Sequence, residues 1–198
     1  MKGIVFTEFL EMVDGRFGEE FCDRLIDAAD LPSGGSYTAV GTYDFNEMIT
    51  LVEALSRETG KAGPDLMKLF GEYLFGSFSK RYPVFFEQKT SCFDFLTKIN
   101  DVIHPEVHKL YPDAQLPHFS HDWPDDNSFV LVYQSSRPFA ALAEGLIAGA
   151  IAYFGEKITL EVEDLAAGAG TMARFNLSKE PGAGPDFSSD FGPDPGHD

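Results

Sequence analysis

Residues 128–154 read SFVLVYQSSRPFAALAEGLIAGAIAYF, and they place a strand pattern directly before a helix pattern. The first part, 128–135, is rich in β-branched and aromatic residues, which predicts a strand. The second part, 138–154, is apolar and rich in Ala and Gly, which predicts a helix that packs closely against a neighbour. Strands are also predicted at 157–163 (KITLEVE) and 171–178 (TMARFNLS), because apolar and polar residues alternate there. This half of the chain therefore indicates an antiparallel sheet with a helix.

The chain before residue 112 is dominated by helix patterns. Apolar residues recur at near-helical spacing over 4–13, and a second helix fits 18–29. Asp44 and Glu47 predict a capping box at the start of a third helix, which Gly60 ends.

Two more helices are predicted further along, one beginning at Pro64 and one capped by Ser91 and running to Leu110. The fold class is therefore predicted to be α+β, with an N-terminal helical subdomain packed on a C-terminal subdomain that has an antiparallel sheet and helices. We predict one domain over 1–178. Residues 179–198, rich in Pro, Gly, Ser and Asp, are predicted to form a disordered acidic tail.

Composition and charge argue against several classes of function. Of the 198 residues, 43% are hydrophobic and 24% are charged, which is ordinary for a globular protein, while the 19 Phe suit a core around a large flat ligand as well as a plain core. The net charge of −17, without a Lys/Arg cluster, argues against a nucleic-acid partner. No apolar run approaches the ~18 residues of a membrane span, and no signal-peptide pattern is present, so we expect a cytoplasmic protein without membrane association.

His104 is the first candidate for chemistry, in FDFLTKINDVIHPEVHKLY at 93–111. It lies beside the apolar stripe of its helix, where a neutral imidazole can serve as an axial ligand of haem iron. A core histidine bonded to a backbone carbonyl is the alternative, and His108 one turn later could share a zinc ion if a third ligand were present. Pro105 disfavours helical geometry at His104 and predicts a bend there.

Tyr133, Ser135 and Arg137 are the second candidate, because they recur at period two. On a strand they would share one face, with the Arg fork and two hydroxyls offered to a ligand that carries two carboxylates, as a porphyrin does. A solvated polar strand face is the alternative.

The remaining patterns predict no catalytic centre. Neither a glycine-rich phosphate loop nor a GxSxG turn is present. Acidic residues and histidines between 118 and 126 could bind a hard cation, but a solvated turn is the preferred interpretation there.

Four segments together resemble the haem nitric oxide/oxygen binding (H-NOX) domain, which is related to the sensor domain of soluble guanylate cyclase. They are MKGIVFTEFLEMV at 1–13, HPEVHKLYPDAQLP at 104–117, the YxSxR signature at 133–137, and AEGLIAGAIAYF at 143–154. The resemblance covers about 1–178 and implies a haem b (Fe protoporphyrin IX) between the two subdomains.

The resemblance also implies roles for individual residues. His104 would ligate the iron, Tyr133, Ser135 and Arg137 would hold the propionates, and Pro117 would press on the porphyrin. The distal pocket would be lined by apolar side chains, which are Val5, Phe9, Leu74, Phe78, Leu142 and Leu146. No Cys or His lies in 164–174, where some relatives hold zinc, so no zinc site is predicted.

The expected activity is gas sensing rather than catalysis. Relatives that hold dioxygen resemble one another in a distal tyrosine where this chain has Leu142, so we expect nitric oxide, and also carbon monoxide, in preference to dioxygen. Nitric oxide would weaken the Fe–His104 bond and shift the two subdomains against each other. The resemblance suggests a sensor histidine kinase or a cyclic-dinucleotide enzyme as the separate partner. A carrier of a non-haem apolar carboxylate or tetrapyrrole is the alternative, and a haem peroxidase is disfavoured because no polar distal acid–base pair is predicted.

Overall fold

Two long helices, α4 (Gly63–Arg81) and α7 (Ala140–Phe154), lie against each other along their length in the computed structural model, which describes residues 1–86 and 90–180. Glycines bring the two backbones together. A Cβ on Gly71 would lie 2.4 Å from the Leu142 carbonyl oxygen, and one on Gly145 would lie 2.0 Å from the Lys68 carbonyl oxygen. Because no side chain fits at these distances, the small residues of α7 serve the close packing that the sequence predicts.

The other helices follow the predicted order. They are α1 (Gly3–Phe17), α2 (Glu19–Ala29), α3 (Phe45–Thr59), a 3-10 turn (Pro83–Phe85), α5 (Cys92–Thr97), a π-helical turn (Ile99–Ile103) and α6 (His104–Leu110). The predicted caps are present at Asp44 and Ser91, whose side chains accept hydrogen bonds from the Asn46 and Asp94 amides. Gly60 ends α3 with φ at 69°.

The second half of the predicted capping box is wrong. The Glu47 carboxylate is buried, and it accepts hydrogen bonds from the Tyr37 hydroxyl at 2.8 Å and from the Ser33 hydroxyl. A buried carboxylate needs donors. Hydroxyl groups on the loop before α3 provide them, so Glu47 secures that loop and not the start of its own helix.

The single helix predicted up to Leu110 is interrupted before His104. The Ile103 amide bonds to the Lys98 carbonyl oxygen at 3.0 Å, and the His104 amide bonds to that of Ile99, five residues back in each case. Pro105, at the start of α6, has no N–H to continue an α-helical ladder. The predicted bend beside His104 is therefore a π-helical turn, a feature often found at functional sites.

The sheet is antiparallel, with the order β1-β2-β4-β3. Its strands are β1 (His118–Asp125), β2 (Ser128–Gln134), β3 (Ile158–Asp164) and β4 (Met172–Lys179). The solvated turn preferred for the acidic residues and histidines of 118–126 is found only at its end, where Asp126 lies in an exposed turn, because His118–Asp125 form β1. Only Phe119 of this strand is buried, so its sequence lacks the apolar residues that mark the other three strands. Lys179 ends β4 instead of starting a tail, and 181–198 lie outside the described residues.

Apolar side chains form two clusters, one in each predicted subdomain. The first joins α1 to α4 around Phe9 and Phe70, and the second joins the sheet to α5 and α7 around Phe129 and Phe175. Leu146 of α7 packs against both clusters. This arrangement confirms the α+β class. Among the described residues, no helix is long and apolar enough to cross a membrane.

Candidate functional site

A cavity of about 320 Å³ lies between the two apolar clusters. Its size falls within the ~300–1,000 Å³ range of small-molecule pockets. Its wall is mainly apolar and takes side chains from both subdomains, including Ile4, Phe75, Phe95, Ile103, Phe119 and Ile147. A large flat ligand could therefore contact both halves of the protein at once.

His104 lies on the wall of this cavity as the first residue of α6. The centroid of its ring is 6.0 Å from that of Phe119. Burial, and then the nearby His108 and His118, lower the pKa of His104 to about 4. The imidazole is therefore neutral at physiological pH, the form whose ring nitrogen can coordinate a metal.

The zinc alternative for His104 and His108 finds no support in the structure. His108 is exposed and does not line the cavity. Within 1–86 and 90–180, no three His, Cys, Asp or Glu side chains converge as a metal-binding group. His104 thus faces the cavity as a single imidazole.

Tyr133, Ser135 and Arg137 all line the cavity, but the strand face predicted for them is wrong. β2 ends at Gln134, and the chain turns before Pro138, which has no N–H for a strand ladder. The Tyr133 hydroxyl donates to the Arg137 carbonyl oxygen at 3.2 Å, and the Ser135 hydroxyl oxygen accepts from the Arg137 amide at 3.0 Å. Two of the three side chains therefore hold the turn that presents Arg137.

The Arg137 guanidinium is positioned by two further contacts. Its Nη2 donates to the Gln115 Oε1 at 2.6 Å, and its centre lies 5.4 Å from the centroid of the Phe45 ring. Several donors of its planar fork remain for a ligand carboxylate. The Arg137 guanidinium thus lies beside a mainly apolar interior.

Five of the six side chains predicted for the distal pocket line the cavity, and so does Pro117. The five come from α1, α4 and α7, and they are Val5, Leu74, Phe78, Leu142 and Leu146. Phe9 does not lie on the wall. It is fully buried in the N-terminal cluster, where its ring meets that of Phe70 edge-on at 5.2 Å.

Sequence reasoning missed four polar residues of the cavity wall, which are Lys2, Tyr82, Tyr111 and the Gln115 that holds Arg137. Burial and the neighbouring Tyr111 raise the pKa of Tyr82 to about 12, so its hydroxyl stays protonated. The Lys2 ammonium lies 3.0 Å from the Asp113 carboxylate and 5.6 Å from the centroid of the Tyr111 ring. Both tyrosines precede a proline, a pattern that marks helix ends and says nothing about a cavity.

The donor set fits a haem. One wall carries a single neutral imidazole, and an arginine fork with two hydroxyls lies nearby, while most of the remaining surface is apolar. An iron porphyrin requires these three features, which are an axial nitrogen, partners for its carboxylates and an apolar slot for its ring. The fold and site are those of a domain that could hold a haem in the cavity between a helical and a sheet-bearing subdomain.

Comparison with known proteins gives the family. Residues 2–162 match the family described as Haem-NO-binding. The fold is similar to those of solved H-NOX proteins from three sources. The Fe(II) unliganded protein from K. algicida is 36% identical, with 91% of this chain and 97% of that chain covered and a TM-score of 0.85.

Two more solved structures extend the similarity. The H-NOX from Shewanella woodyi, bound to IWP-051 in the Fe(II)CO state, is 39% identical over 94% of this chain and 98% of that chain, with a TM-score of 0.78. The H-NOX protein from S. oneidensis in the Fe(II)NO state is 27% identical over 91% of this chain and 99% of that chain, with a TM-score of 0.84. No curated protein matches the chain. The chain belongs to the H-NOX family, whose domains bind haem and sense gases such as NO and CO.

Proposed function

We propose that this protein is a nitric oxide sensor that binds ferrous haem b through His104. The observation that carries the proposal is the cavity between the subdomains, where one neutral imidazole faces a largely apolar wall. Tyr133, Ser135 and Arg137 are proposed to hold the propionates, and Pro117 to press on the porphyrin.

The character of the distal wall supports nitric oxide over dioxygen. Bound dioxygen carries partial negative charge and gains from a hydrogen-bond donor, whereas nitric oxide on ferrous iron needs none. On this wall Leu142, Leu74 and Phe78 offer no donor. Tyr82, which follows α4, carries a hydroxyl on the cavity wall, but this hydroxyl interacts with that of Tyr111. Carbon monoxide, which also needs no donor, is expected to bind.

The response is proposed to begin at His104. A haem held through His104 would supply the iron that takes the gas, and the signal would be a weaker hold of the His104 imidazole on that iron. His104 starts the short helix α6, which follows a π-helical turn and contains Pro105. A short helix with such a boundary is a suitable two-state element, because few backbone hydrogen bonds tie it to the preceding helix.

The output is proposed to be a change in binding to a separate protein. The family resemblance suggests a sensor histidine kinase or a cyclic-dinucleotide enzyme as that partner. Release of His104 would alter α6 and the loop after it, where Asp113 is paired with Lys2 of the N-terminal segment. Movement on the sheet-bearing side can therefore reach the helical side through a contact that exists in the structure.

An absorption spectrum of the reduced protein under argon, air and nitric oxide tests the proposal. We expect an intense Soret band that changes with nitric oxide and stays the same in air, apart from slow oxidation. A colourless chain that takes up iron-free protoporphyrin but not haem would overturn the proposal in favour of a carrier. A stable dioxygen complex would refute the gas preference alone.

A further inference from the structure

One side chain, that of Asn100, ties the segment before His104 to the sheet. The Asn100 Oδ1 accepts a hydrogen bond from the Phe119 amide at 3.2 Å, and the Asn100 Nδ2 donates to the Phe119 carbonyl oxygen. Only one orientation of a carboxamide satisfies both backbone groups. The pair therefore fixes the Asn100 side chain and the backbone at Phe119 together.

The position of Phe119 in the sheet explains why its backbone groups are available. β1 is an edge strand, and Phe119 lies opposite Tyr133 of β2. The N–H and C=O of Phe119 point to Asn100 and so away from β2, which makes Phe119 and Tyr133 a non-hydrogen-bonded pair with closely spaced side chains. Asn100 thus takes the place that a further strand would occupy at this edge.

The Phe119 ring lies between the two groups proposed to hold haem. Its centroid is 6.0 Å from that of the His104 ring and 5.7 Å from that of the Tyr133 ring. Phe119 is buried and lines the cavity. A contact that fixes Phe119 therefore fixes the surface against which the His104 imidazole lies.

Asn100 and His104 are also linked through the backbone. Asn100 belongs to the π-helical turn (Ile99–Ile103), and His104 follows directly. Residues four apart in helical backbone share a face, so both side chains are directed toward β1. The hydrogen bonds of Asn100 anchor this irregular turn at the end that leads into the histidine.

We infer that Asn100 is a positioning residue for the proximal imidazole, which locks the segment before His104 to Phe119 and so sets the orientation of the His104 ring toward the cavity. The inference rests on the proposed role of His104 as the haem ligand. It adds a residue that contacts neither haem nor gas but controls how the ligand is presented.

Two variants test it. Asn100→Leu removes both hydrogen bonds at similar volume, and Asn100→Asp keeps the acceptor for the Phe119 amide but loses the donor to its carbonyl. Asp101→Ala is the matched control, because Asp101 is an exposed neighbour in the same turn. Hydrogen exchange at the Phe119 amide is measured in the full chain as purified, and the Fe–His stretching band is measured by resonance Raman in the reduced protein.

For Asn100→Leu we expect exchange at Phe119 to become about tenfold faster or more, since two hydrogen bonds are lost, and the Fe–His band to shift or broaden. For Asn100→Asp we expect the amide to stay protected while the band still shifts. Asp101→Ala should leave both readouts at wild-type values. This combination separates the orientation of the imidazole from the general stability of the segment.

Unchanged exchange at Phe119 in Asn100→Leu would overturn the contact, and faster exchange with an unchanged Fe–His band would overturn the positioning role. If Asn100→Leu fails to fold, Asn100→Asp decides alone, and an unshifted band in that variant overturns the inference. A wild-type protein that binds haem without an Fe–His band would instead overturn the proposed function, and the inference with it.

Discussion

Leu142→Tyr is expected to convert the cavity into one that holds dioxygen. Leu142 lies on the cavity wall in α7, beside Leu74 and Phe78 of α4, and only 9% of it is exposed. A tyrosine at this position would place a hydroxyl donor on the wall that otherwise offers none at these positions. Bound dioxygen accepts a hydrogen bond through its partial negative charge, so the variant should stabilise that complex selectively.

The size of the gain follows from one hydrogen bond to a charged acceptor, which contributes ~1.5–3 kcal/mol. At ~1.4 kcal/mol for each factor of ten, the dioxygen dissociation constant should fall about ten- to hundredfold. The larger tyrosine ring also destabilises the folded protein, which opposes this gain. The Leu142 carbonyl oxygen would lie 2.4 Å from a Cβ on Gly71, so α4 and α7 are already in close contact there, and overpacking costs ~1–3 kcal/mol.

Leu142→Phe is the matched control, because it adds the same ring without the hydroxyl. Dioxygen affinity is measured by titrating the reduced protein and following the Soret band, with nitric oxide and carbon monoxide as reference ligands. Only the tyrosine variant should gain dioxygen affinity, while both variants share the overpacking term. Equal dioxygen affinity in the two variants would refute the assignment of Leu142 to the distal wall.

Three further predictions concern the other side of the cavity and its edge. His104→Gly should lose haem or hold it only with added imidazole, as followed by the Soret band, and unchanged ligation would place the ligand elsewhere. Arg137→Ala should speed haem dissociation about tenfold, because an unpaired propionate costs ~1–3 kcal/mol, whereas Arg174→Ala, which removes an arginine that pairs with Glu163 and does not line the cavity, should have no effect. Hydrogen bonds from Thr42 and then Lys2 lower the pKa of the Asp113 carboxyl from its usual 3.8 to about 2. The ionised carboxylate therefore stabilises the fold at pH values above 3.8, and this contribution is lost as the pH falls through 2. The difference in urea midpoint between wild type and Asp113→Asn should therefore be present at pH 6 and vanish near pH 2, and a difference that persists there would contradict it.

Local chemistry explains what the sequence could predict. The caps at Asp44 and Ser91 and the end of α3 at Gly60 depend on residues within one helical turn, so the amino-acid sequence alone is sufficient to predict them. The predicted strands agree with β2, β3 and β4 to within a residue or two, because each alternates or carries β-branched residues. The α+β class follows from these elements together.

Features that depend on residues distant in the chain could not be predicted from the sequence. β1 has one buried residue, Phe119, and its pairing comes from β2, which lies later in the chain. Phe9 occupies a helical face that could line a cavity or a core, and only packing against Phe70 settles which. Tyr133, Ser135 and Arg137 occupy every second position, a spacing found both on one face of a strand and in a turn closed by side-chain hydrogen bonds. Pro138 favours the turn because it has no N–H for a strand ladder.

The two walls of the cavity differ in the regularity of their backbone. We expect one wall to determine which gas binds and the other to determine how the protein changes when it binds. The wall proposed as distal comes from the continuous helices α1, α4 and α7, and the contact of α4 with α7 at Gly71 and Gly145 leaves no room for adjustment. The wall that bears His104 comes from a π-helical turn and a short helix that contains Pro105. A closely packed wall keeps the same side chains facing a bound gas, while an irregular one has fewer backbone hydrogen bonds to break when the imidazole moves. Substitutions at Leu142 should therefore change which gas binds, and substitutions at Asn100 should change how binding is transmitted.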